Sequence, residues 1–460
     1  MSTAAELEDR LAYLESRADG LASAQDLDTA WIIWCGILVF LMQVGFSMLE
    51  VGSISPKNTK AVLIKNLTDA ALGAICWWTL GHGFAYGKDV AGFIGTDSFA
   101  FSSDATYQDN GQGVEIAEWF FEWAFAATAA TVVSGAVAER IKIAAYVQLS
   151  VLVTFLIYPV VVHWAWSEGG WASPHRCEDT TTAADYQLCR EESRALLLGC
   201  GATDFAGARV VHMTGGMCAL VAAKIVGPRT KRFRNGIPNR MPQQSPALGH
   251  LNNGILSGLV AISASGSLVQ PEGAFIVGAV ASAFYMLGTE GLKWCRIDDV
   301  VQASAVHLVC GAWGLVSVGL FSTRSRYQDF YSYGIFSDPE RDEECCGLLY
   351  GCGGKVLAAN VIFMLSISGW VAALACLGLL VIKKSVGLRV PLGVEEMGMD
   401  KSRHTRSNRN SIALRRALRS AAGKDDRSTA ASSHRPSFKS APIAASPRTL
   451  APVTLSHWKD

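Results

Sequence analysis

Long uncharged apolar blocks alternate with short polar stretches along most of this chain. Five blocks contain no charged residue, and four more are nearly free of charge. An apolar run of about 18 or more residues is typical of a membrane-spanning helix, because the hydrocarbon core is about 30 Å thick. The pattern predicts an all-α polytopic membrane protein, a helical bundle of about nine spans. The uncharged blocks are Trp31 to Leu49, Ile143 to Ser167, Ala247 to Pro271, Val300 to Thr323 and Val356 to Ile382, and the other candidates are 66–87, 119–138, 205–226 and 272–289.

Charge is unevenly distributed, although the 40 basic residues balance the 40 acidic ones. Lys57, Lys60 and Lys65 follow the first span with no acid among them. The segment 224–246 contains six basic residues and no acidic one. The stretch 88–118 and the loops 167–203 and 324–355 are acidic on balance. Because cytoplasmic loops collect Lys and Arg, this alternation predicts an outer N-terminus and a cytoplasmic C-terminus.

Composition divides the chain into four parts. An N-terminal segment, 1–28, has leucines at helical spacing amid charge, which predicts a short amphipathic helix on the extracellular side. The spans occupy 29–385, and a cytoplasmic juxtamembrane strip occupies 386–402. The tail 403–460 is basic and rich in Ser, Ala and Pro, so it is predicted to be disordered. Within it, Ser411 to Ala422 is either a basic helix on anionic lipid or a solvated segment.

One motif occurs twice, as DFAGARVVHMTGG at the fifth span and DVVQASAVHLVCG at the eighth. In each copy an Asp precedes a His by eight residues, which is about 12 Å of helix and places both His well inside the bilayer. By the loop charges these two helices run in opposite directions. Inverted repeats of this kind place the functional site near the membrane midplane. The repeated residues are Asp204, His212 and Gly216 in the first copy and Asp299, His307 and Gly311 in the second.

An ionisable side chain inside a span is costly and usually marks a transport path. Two facing imidazoles can share a hydrogen bond and stay neutral, so a narrow lumen between them would suit a small hydrogen-bonding solute and penalise a bare alkali cation. The alternatives for His212 and His307 are a satisfied core pair and axial haem ligands. We expect no haem, metal or other cofactor, no enzymatic activity and no nucleic-acid partner.

Aromatic residues gather at one face of the third and fourth spans. Phe120, Phe121 and Phe125 begin one span, and Trp164 and Trp166 end the other. Aromatic faces bind ammonium ions by cation–π attraction, worth about 0.5–2 kcal/mol. Packing and the interfacial aromatic belt explain the same composition equally well.

Two further residue types have structural interpretations. Asp204 suits a helix N-cap, which is compatible with a role at a pore mouth. Cys177 and Cys189 share one predicted outer loop, and Cys345, Cys346 and Cys352 share another. A disulfide within either loop fits an oxidising exterior.

Several strings resemble the ammonium transporter family (Amt, Mep and Rh proteins), most closely its plant-like branch. The resemblance covers 29–398. It implies ammonium or ammonia as the transported species and a trimer of bundles in the plasma membrane, either homotrimeric or mixed with full-length relatives. The strings include FLMQVGFSMLEVGSISPKNTKAVLIKN, SGAVAERIKIAAY, HWAWSEGGWASP, DFAGARVVHMTGG and IDDVVQASAVHLVCGAWGLVSVGLF.

The resemblance also assigns residues by matching motifs. Phe125 corresponds to the outer phenylalanine gate, with Phe121 one turn before it, and Trp166 to the external ammonium-recruiting site. Asp204 corresponds to the essential aspartate of that vestibule. His212 and His307 correspond to the twin pore histidines. The implied mechanism is capture of ammonium, loss of its proton, and passage of ammonia between the histidines.

Two features depart from the family pattern. Nine spans replace the usual eleven, because GPRTKRFRNG is followed almost directly by NGILSGL. Arg209 occupies a position where a small residue is usual, about one turn outside His212, where a fixed cation would repel ammonium. Three hypotheses follow: a conducting transporter, a non-conducting regulatory subunit or ammonium sensor, and a mis-assembled reading frame. Sequencing the transcript across 240–250 tests the third.

Overall fold

The computed structural model describes residues 24–102, 112–174, 196–233, 246–331 and 343–404. Helix α1 begins at Ala24, so the first span continues upstream into the predicted N-terminal segment. The amphipathic segment before it, the tail helix at Ser411 to Ala422, and Cys177 and Cys189 lie outside the described residues.

Helices make up nearly all of the described chain. Two short antiparallel strands, β1 and β2, form a hairpin that follows α2. Four helices contain a π-helical turn, and these helices are named here with that turn included. The elements are α1 (Ala24–Ser53), α2 (Thr59–Cys76, Trp77–Gly81 and His82–Tyr86), β1 (Asp89–Val90), β2 (Ile94–Gly95), α3 (Gln112–Ala136), α4 (Ile143–Trp166), α5 (Ala208–Val226), α6 (Pro246–Ile262), α7 (Pro271–Trp294), α8 (Ser304–Phe321), α9 (Arg324–Tyr331), α10 (Lys355–Ser385), α11 (Leu392–Met397) and α12 (Met399–His404).

The prediction of an all-α polytopic membrane protein is confirmed. Among the described residues, seven helices are long and apolar enough to cross a membrane: α1, α3, α4, α5, α7, α8 and α10. The two other predicted spans fall on α2, whose first half carries charged residues, and on α6, whose apolar part Leu248–Ile262 is shorter.

The helices form a buried centre and an apolar periphery. In the most apolar 18-residue stretch of α5, 72% of the residues are buried inside the protein. In the equivalent stretch of α1, only 17% are buried. Large apolar side chains on α1, α6, α7 and α10 are exposed, including Trp31, Leu251, Phe275 and Leu377. Apolar side chains on the outside of a bundle are stable in lipid rather than in water, so the periphery faces the membrane.

The start of α2 corrects one assignment made from the charge pattern. The charge pattern places Lys65 with Lys57 and Lys60 between the first two spans, but Lys65 lies inside α2 and is fully buried. Its Nζ donates a hydrogen bond to the Ser134 carbonyl at 3.0 Å. The predicted span began only at residue 66 because Lys65 is charged. A lysine with buried hydrogen-bond partners can nevertheless lie inside a helical bundle.

The juxtamembrane strip folds back onto the ends of the spans. The Asp400 carboxylate accepts hydrogen bonds from the backbone N–H groups of Lys60, at 3.0 Å, and Ala61, at 2.9 Å. These N–H groups open α2, where an anion compensates the unpaired donors and the helix dipole. Lys57 donates to the Glu396 carbonyl at 2.5 Å, near the end of α11. The strip is therefore an ordered part of the described structure.

Disulfides fix the chain on the Asp204 side of the bundle. Cys346 is bonded to Cys352, within the loop where a bridge was predicted. Cys345 is bonded instead to Cys200, which the sequence pattern did not single out because the two are 145 residues apart. This second bridge ties the segment before α5 to the segment before α10.

Candidate functional site

The Asp of each repeated motif caps the helix that carries the His. The Asp204 carboxylate accepts hydrogen bonds from four backbone N–H groups at the start of α5, the shortest being that of Arg209 at 2.8 Å. Asp299 accepts the N–H groups of Ala303, at 3.0 Å, and Ser304, at 2.6 Å, at the start of α8. These are the donors that a helix start leaves without a partner. Both carboxylates therefore fix where their helices begin.

The two repeated histidines meet inside the bundle. His212 lies in the π-helical turn Ala208–Met213, and His307 lies in the matching turn Ser304–Val309. Their Nδ1 atoms are 3.2 Å apart, within hydrogen-bonding distance, and both side chains are buried. One nitrogen donates and the other accepts, so the pair is satisfied with both rings neutral. π-Helical turns are rare and frequently occur at functional sites.

The repeated glycines allow this close approach. A Cβ atom on Gly216 would lie 3.0 Å from the carbonyl carbon of His307, and one on Gly311 would lie 2.6 Å from the carbonyl oxygen of Ala208. Each glycine thus contacts the backbone of the other copy of the motif. Small residues let membrane helices cross closely, and here the crossing of α5 and α8 brings the rings together.

Three aromatic side chains and Asp204 form a cluster at one end of the His pair, called here the Trp166 cluster. The Phe121 and Phe125 rings are perpendicular with centroids 4.9 Å apart, and the Phe125 and Trp166 centroids are 5.9 Å apart. The Trp166 indole N–H donates to the backbone carbonyl of Asp204 at 2.8 Å. The structure therefore brings together Trp166, Phe125, Phe121 and Asp204.

Two other aromatic candidates lie elsewhere. The Phe120 ring lies against Gly36 of α1, where an added Cβ would be 2.7 Å from the ring. The Trp164 indole donates to the Phe93 carbonyl at 2.9 Å and is buried among other rings. Phe120 and Trp164 are close in sequence to members of the Trp166 cluster. However, the Phe120 ring packs against α1 and the Trp164 indole binds the hairpin between β1 and β2.

Arg209 does not stand as an isolated cation. Its Nε is 3.7 Å from the Asp204 carboxylate, its Nη1 donates to the Asn360 side chain at 3.3 Å, and its guanidinium carbon lies 4.6 Å from the Phe363 ring centre. The side chain is fully buried. A carboxylate and an aromatic face therefore partly compensate this cation, and whether it repels ammonium stays a prediction.

A small cavity lies on the other side of the His pair and is called here the Glu50 cavity. Its volume is about 10 Å³, which is roughly the space that one water-sized molecule occupies. Glu50 and Thr131 provide polar groups on one wall, and Asn253 and His307 provide them on the other. Val301 and Ala303 also line it, so it lies at the Asp299 end of α8.

Charged side chains form a network at that same end. Arg229 binds the Asp298 carboxylate through Nε at 2.8 Å and the Glu139 carboxylate through Nη1 at 2.5 Å. Arg232 also binds Asp298, at 3.1 Å. Burial by itself would raise the pKa of Asp298, but the hydrogen bonds and charge of Arg229 outweigh it and hold that pKa well below its usual range. These ion pairs hold the described start of the basic segment 224–246 against the bundle.

The sequence pattern missed several buried ionisable residues. Glu50, Lys65 and Asp69 lie in or between the first two spans, and each is almost completely buried. His163 is also buried, with its Nε2 2.8 Å from the Asp89 carboxylate. In the sequence, each of these residues appears only as a single charged or polar residue in or beside an apolar block. A charged residue in that position is equally typical of the end of a span. Among the described residues, no cluster of His, Cys, Asp and Glu has the arrangement of a metal site.

Comparison with known proteins identifies the family. The sequence model of the Ammonium Transporter Family matches residues 30–248 and 239–409, most of the chain. This chain belongs to the ammonium transporter family. The resemblance inferred from the motifs is confirmed.

Relatives from distant organisms match over most of their own length. Ammonium transporter 3 of Dictyostelium discoideum is 30% identical, with 82% of this chain and 93% of the relative aligned. Ammonium transporter 1 member 1 of Oryza sativa is 32% identical over 85% of this chain and 87% of the relative. These homologues are named as transporters, not as enzymes.

Solved structures share the same fold. A protein titled "Sensor Amt Protein" aligns with a TM-score of 0.67 and 27% identity over 83% of this chain and 99% of its own. Mep2 of Saccharomyces cerevisiae aligns with a TM-score of 0.63 and 20% identity over 80% of this chain and 88% of its own. The bundle of this transporter-family member is therefore the one seen in Amt and Mep proteins.

The alignments contain a gap in this family member. The alignment with the rice relative spans 465 positions, more than the 460 residues of the whole chain, although only 85% of the chain takes part. The relative therefore has residues with no counterpart here. The family model matches this chain in two blocks that overlap at 239–248, the region where the sequence predicts a missing segment.

Proposed function

We propose that this protein carries ammonium or ammonia across a membrane along a path that passes His212 and His307. The observation that carries the proposal is the 3.2 Å contact between their Nδ1 atoms at the crossing of two inverted motifs. Transport of ammonium fits the names of its relatives. A neutral, hydrogen-bonded imidazole pair offers both a donor and an acceptor to a passing ammonia molecule. It gives no compensation to a bare alkali cation, which cannot leave its charge behind.

The Trp166 cluster is the proposed recruiting site. Its indole and phenyl faces attract an ammonium ion by cation–π interaction, and the indole is fixed by its hydrogen bond to Asp204. The Asp204 carboxylate is itself engaged by four backbone N–H groups, so its proposed role is to hold the start of α5 and to lower the local potential. Ammonium loses its proton near this cluster, and ammonia passes between the rings.

The membrane arrangement follows the charge pattern. The Asp204 end faces outward and the Asp299 end, with the juxtamembrane strip, faces the cytoplasm, because basic residues gather at the latter. We place the protein in the plasma membrane as a homotrimer or a mixed trimer with full-length relatives. Exposed apolar side chains on α1, α6 and α7 can contact either lipid or neighbouring subunits.

Growth complementation tests the transport proposal. The protein, fused to a fluorescent tag, is expressed in yeast lacking ammonium uptake and grown on low ammonium. We expect growth for the wild type and for Glu290→Gln, a control at an exposed ion pair with Lys293. We expect none for His212→Ala or His307→Ala at equal surface fluorescence. A folded, surface-located wild type that does not restore growth would contradict transport.

A second candidate function is a non-conducting regulatory subunit or sensor. Two observations favour it: the family model matches the chain in two separate blocks that overlap at 239–248, and the Arg209–Asp204 ion pair lies beside the proposed recruiting site. The missing segment corresponds, by the resemblance, to two spans of the pore wall. Co-expression with a full-length relative tests this function, since lowered uptake together with co-purification of both chains supports it. Absence of association rules it out.

A further inference from the structure

A group of buried ionisable residues extends from the Glu50 cavity into α2 and α4. The Glu50 carboxylate accepts a hydrogen bond from the Ser134 hydroxyl at 3.0 Å. Lys65 donates to the backbone carbonyl of the same serine at 3.0 Å, and its ammonium lies 4.9 Å from the Tyr146 ring centre. The Tyr146 hydroxyl donates to Asp69 at 2.5 Å. The proposed transport path therefore borders a continuous polar network.

The two carboxyl groups of this network are placed differently. Asp69 is fully buried and accepts hydrogen bonds from two hydroxyls, those of Tyr146 and Ser150, the latter at 2.7 Å. Glu50 accepts one hydroxyl in the described structure and lines the same small cavity as His307. Of the two carboxyl groups, only that of Glu50 is therefore in reach of a molecule that leaves the His pair.

The charges of this network do not balance when every group is ionised. The hydrogen-bonded groups named above include two carboxyl groups, those of Glu50 and Asp69, and one ammonium, that of Lys65. Arg140 is the next cation, and its guanidinium donates to the carbonyls of Gly227 and Asp298. A buried carboxylate without a matching cation is costly, and binding one proton removes that cost. The network thus favours one proton held on a carboxyl group.

We propose that Glu50 is the proton-exchanging residue of the transport path at the Asp299 end. This rests on the proposed transport function. When ammonia leaves His307 and enters the Glu50 cavity, the neutral carboxyl group gives up its proton. The Glu50 O–H bond breaks, an N–H bond forms on the ammonia lone pair, and the products are ammonium and the Glu50 carboxylate. The proton that ammonium loses at the Trp166 cluster restores the acid, so each cycle carries one positive charge across, and transport in the other direction reverses the steps.

Reconstituted full-length protein allows charge and ammonia movement to be measured separately. In proteoliposomes given an ammonium jump, charge displacement is recorded on a solid-supported membrane, and an internal pH dye reports ammonia entry. For Glu50→Gln we expect charge displacement to fall about 100-fold, as for loss of a positioned acid–base group, with ammonia entry within about two-fold of wild type. Glu50→Asp, which keeps an acid, restores part of the charge signal. Glu290→Gln leaves both signals unchanged.

The other outcomes contradict the proposal. Equal loss of both signals with a lowered unfolding temperature would assign Glu50 a structural role, and unchanged charge displacement would exclude it from proton exchange. If Glu50→Gln does not fold, Glu50→Asp decides: a changed pH dependence of charge displacement supports the proposal, and a pH dependence identical to that of the wild type contradicts it. A wild type that shows neither signal refutes the transport function itself. A wild type that conducts, together with a Glu50 variant that is unaffected, refutes only the role of Glu50.

Discussion

Arg209 and Asp204 form a buried ion pair beside the proposed recruiting site, with 3.7 Å between Nε and the carboxylate. The same carboxylate accepts four backbone N–H groups, and the guanidinium also covers the Phe363 ring. The pair therefore reduces the negative potential at the Asp204 end while keeping the start of α5 fixed. This relationship makes Arg209 a candidate for setting how strongly ammonium is attracted.

Neutralising Arg209 is expected to strengthen ammonium recruitment. In Arg209→Gln the Asp204 carboxylate keeps its N–H partners but loses the opposing cation. At an effective dielectric constant of about 20, this change is worth about 1–2 kcal/mol, or about a ten-fold lower half-saturation concentration for methylammonium uptake. Arg209→Lys, which keeps the charge, serves as the control. Equal half-saturation for the Gln and Lys variants would show that this charge does not act on the substrate.

A methyl group at the crossing of α5 and α8 is expected to separate the histidines. Gly216→Ala places a Cβ against the His307 backbone, which cannot move away as a flexible side chain can. Overpacking of this kind costs about 1–3 kcal/mol. We expect a lower unfolding temperature in detergent and loss of growth complementation. Gly278→Ala, where nothing lies within 4 Å of the added atom, is the matched control. Wild-type uptake by Gly216→Ala would contradict the close crossing.

Removing Asp298 is expected to destabilise the Asp299 end of the bundle. Asp298→Asn leaves Arg229 and Arg232 without their shared carboxylate, and loss of one partner of a buried pair costs about 3 kcal/mol. The measurement is the unfolding temperature in detergent. Glu396→Gln, which removes an exposed pair with Lys231, should cost less than about 1 kcal/mol. Similar losses for both variants would show that burial of the Asp298 pair has no special effect.

The ion pair between Asp298 and Arg229 also predicts how the stability of the fold changes with pH. The pKa of Asp298 in the folded protein is held below its ordinary value by Arg229. A depressed carboxyl pKa stabilises the fold fully above the ordinary value of about 3.9, and this contribution is lost as the pH falls toward the lower folded value. We therefore expect the stability difference between wild type and Asp298→Asn to be constant from about pH 5 to 8 and to shrink in acid. Its disappearance near neutral pH would contradict this ion pair.

The disulfide between Cys200 and Cys345 is expected to stabilise the protein more than the bridge between Cys346 and Cys352. The first closes a separation of 145 residues and the second closes one of 6. The entropy of loop closure grows with loop length, and a long-range bridge is typically worth about 2–4 kcal/mol. Unfolding temperatures of Cys200→Ser and Cys352→Ser provide the comparison. A larger loss for the short loop would contradict the entropic explanation.

Much of the bundle could be predicted from periodicity and charge alone. The uncharged blocks at Ile143 to Ser167 and Val356 to Ile382 correspond closely to α4 and α10, because an apolar run of that length has no other stable environment. The boundary of α2 was harder to predict, since Lys65 interrupts the apolar pattern and yet is buried. Its partners lie in other helices, so the local sequence gives no sign of them.

The repeat predicted the two histidines as a pair, but their geometry depends on the packing of two helices. Spacing of eight residues after each Asp gives depth along the helix, whereas the π-helical turns and the glycine contacts determine which way the rings point. In the same way, sequence placed Arg209 near His212 but could not show that Asp204, Asn360 and Phe363 surround its charge. A contact such as that between Arg209 and Asn360, which are 151 positions apart, is decided only by the folded chain.

By itself the sequence determined that the protein spans a membrane repeatedly, which family it belongs to, and which two histidines its inverted motifs carry. Those properties depend on hydrophobic length and on local spacing, which are encoded residue by residue. The tertiary structure decided that the Nδ1 atoms of the histidines meet, that Cys345 bonds to Cys200, and that Glu50 borders the cavity beside His307. Each of these depends on several helices packing together, because small residues at their crossings let distant polar groups approach and compensate one another in a medium without water.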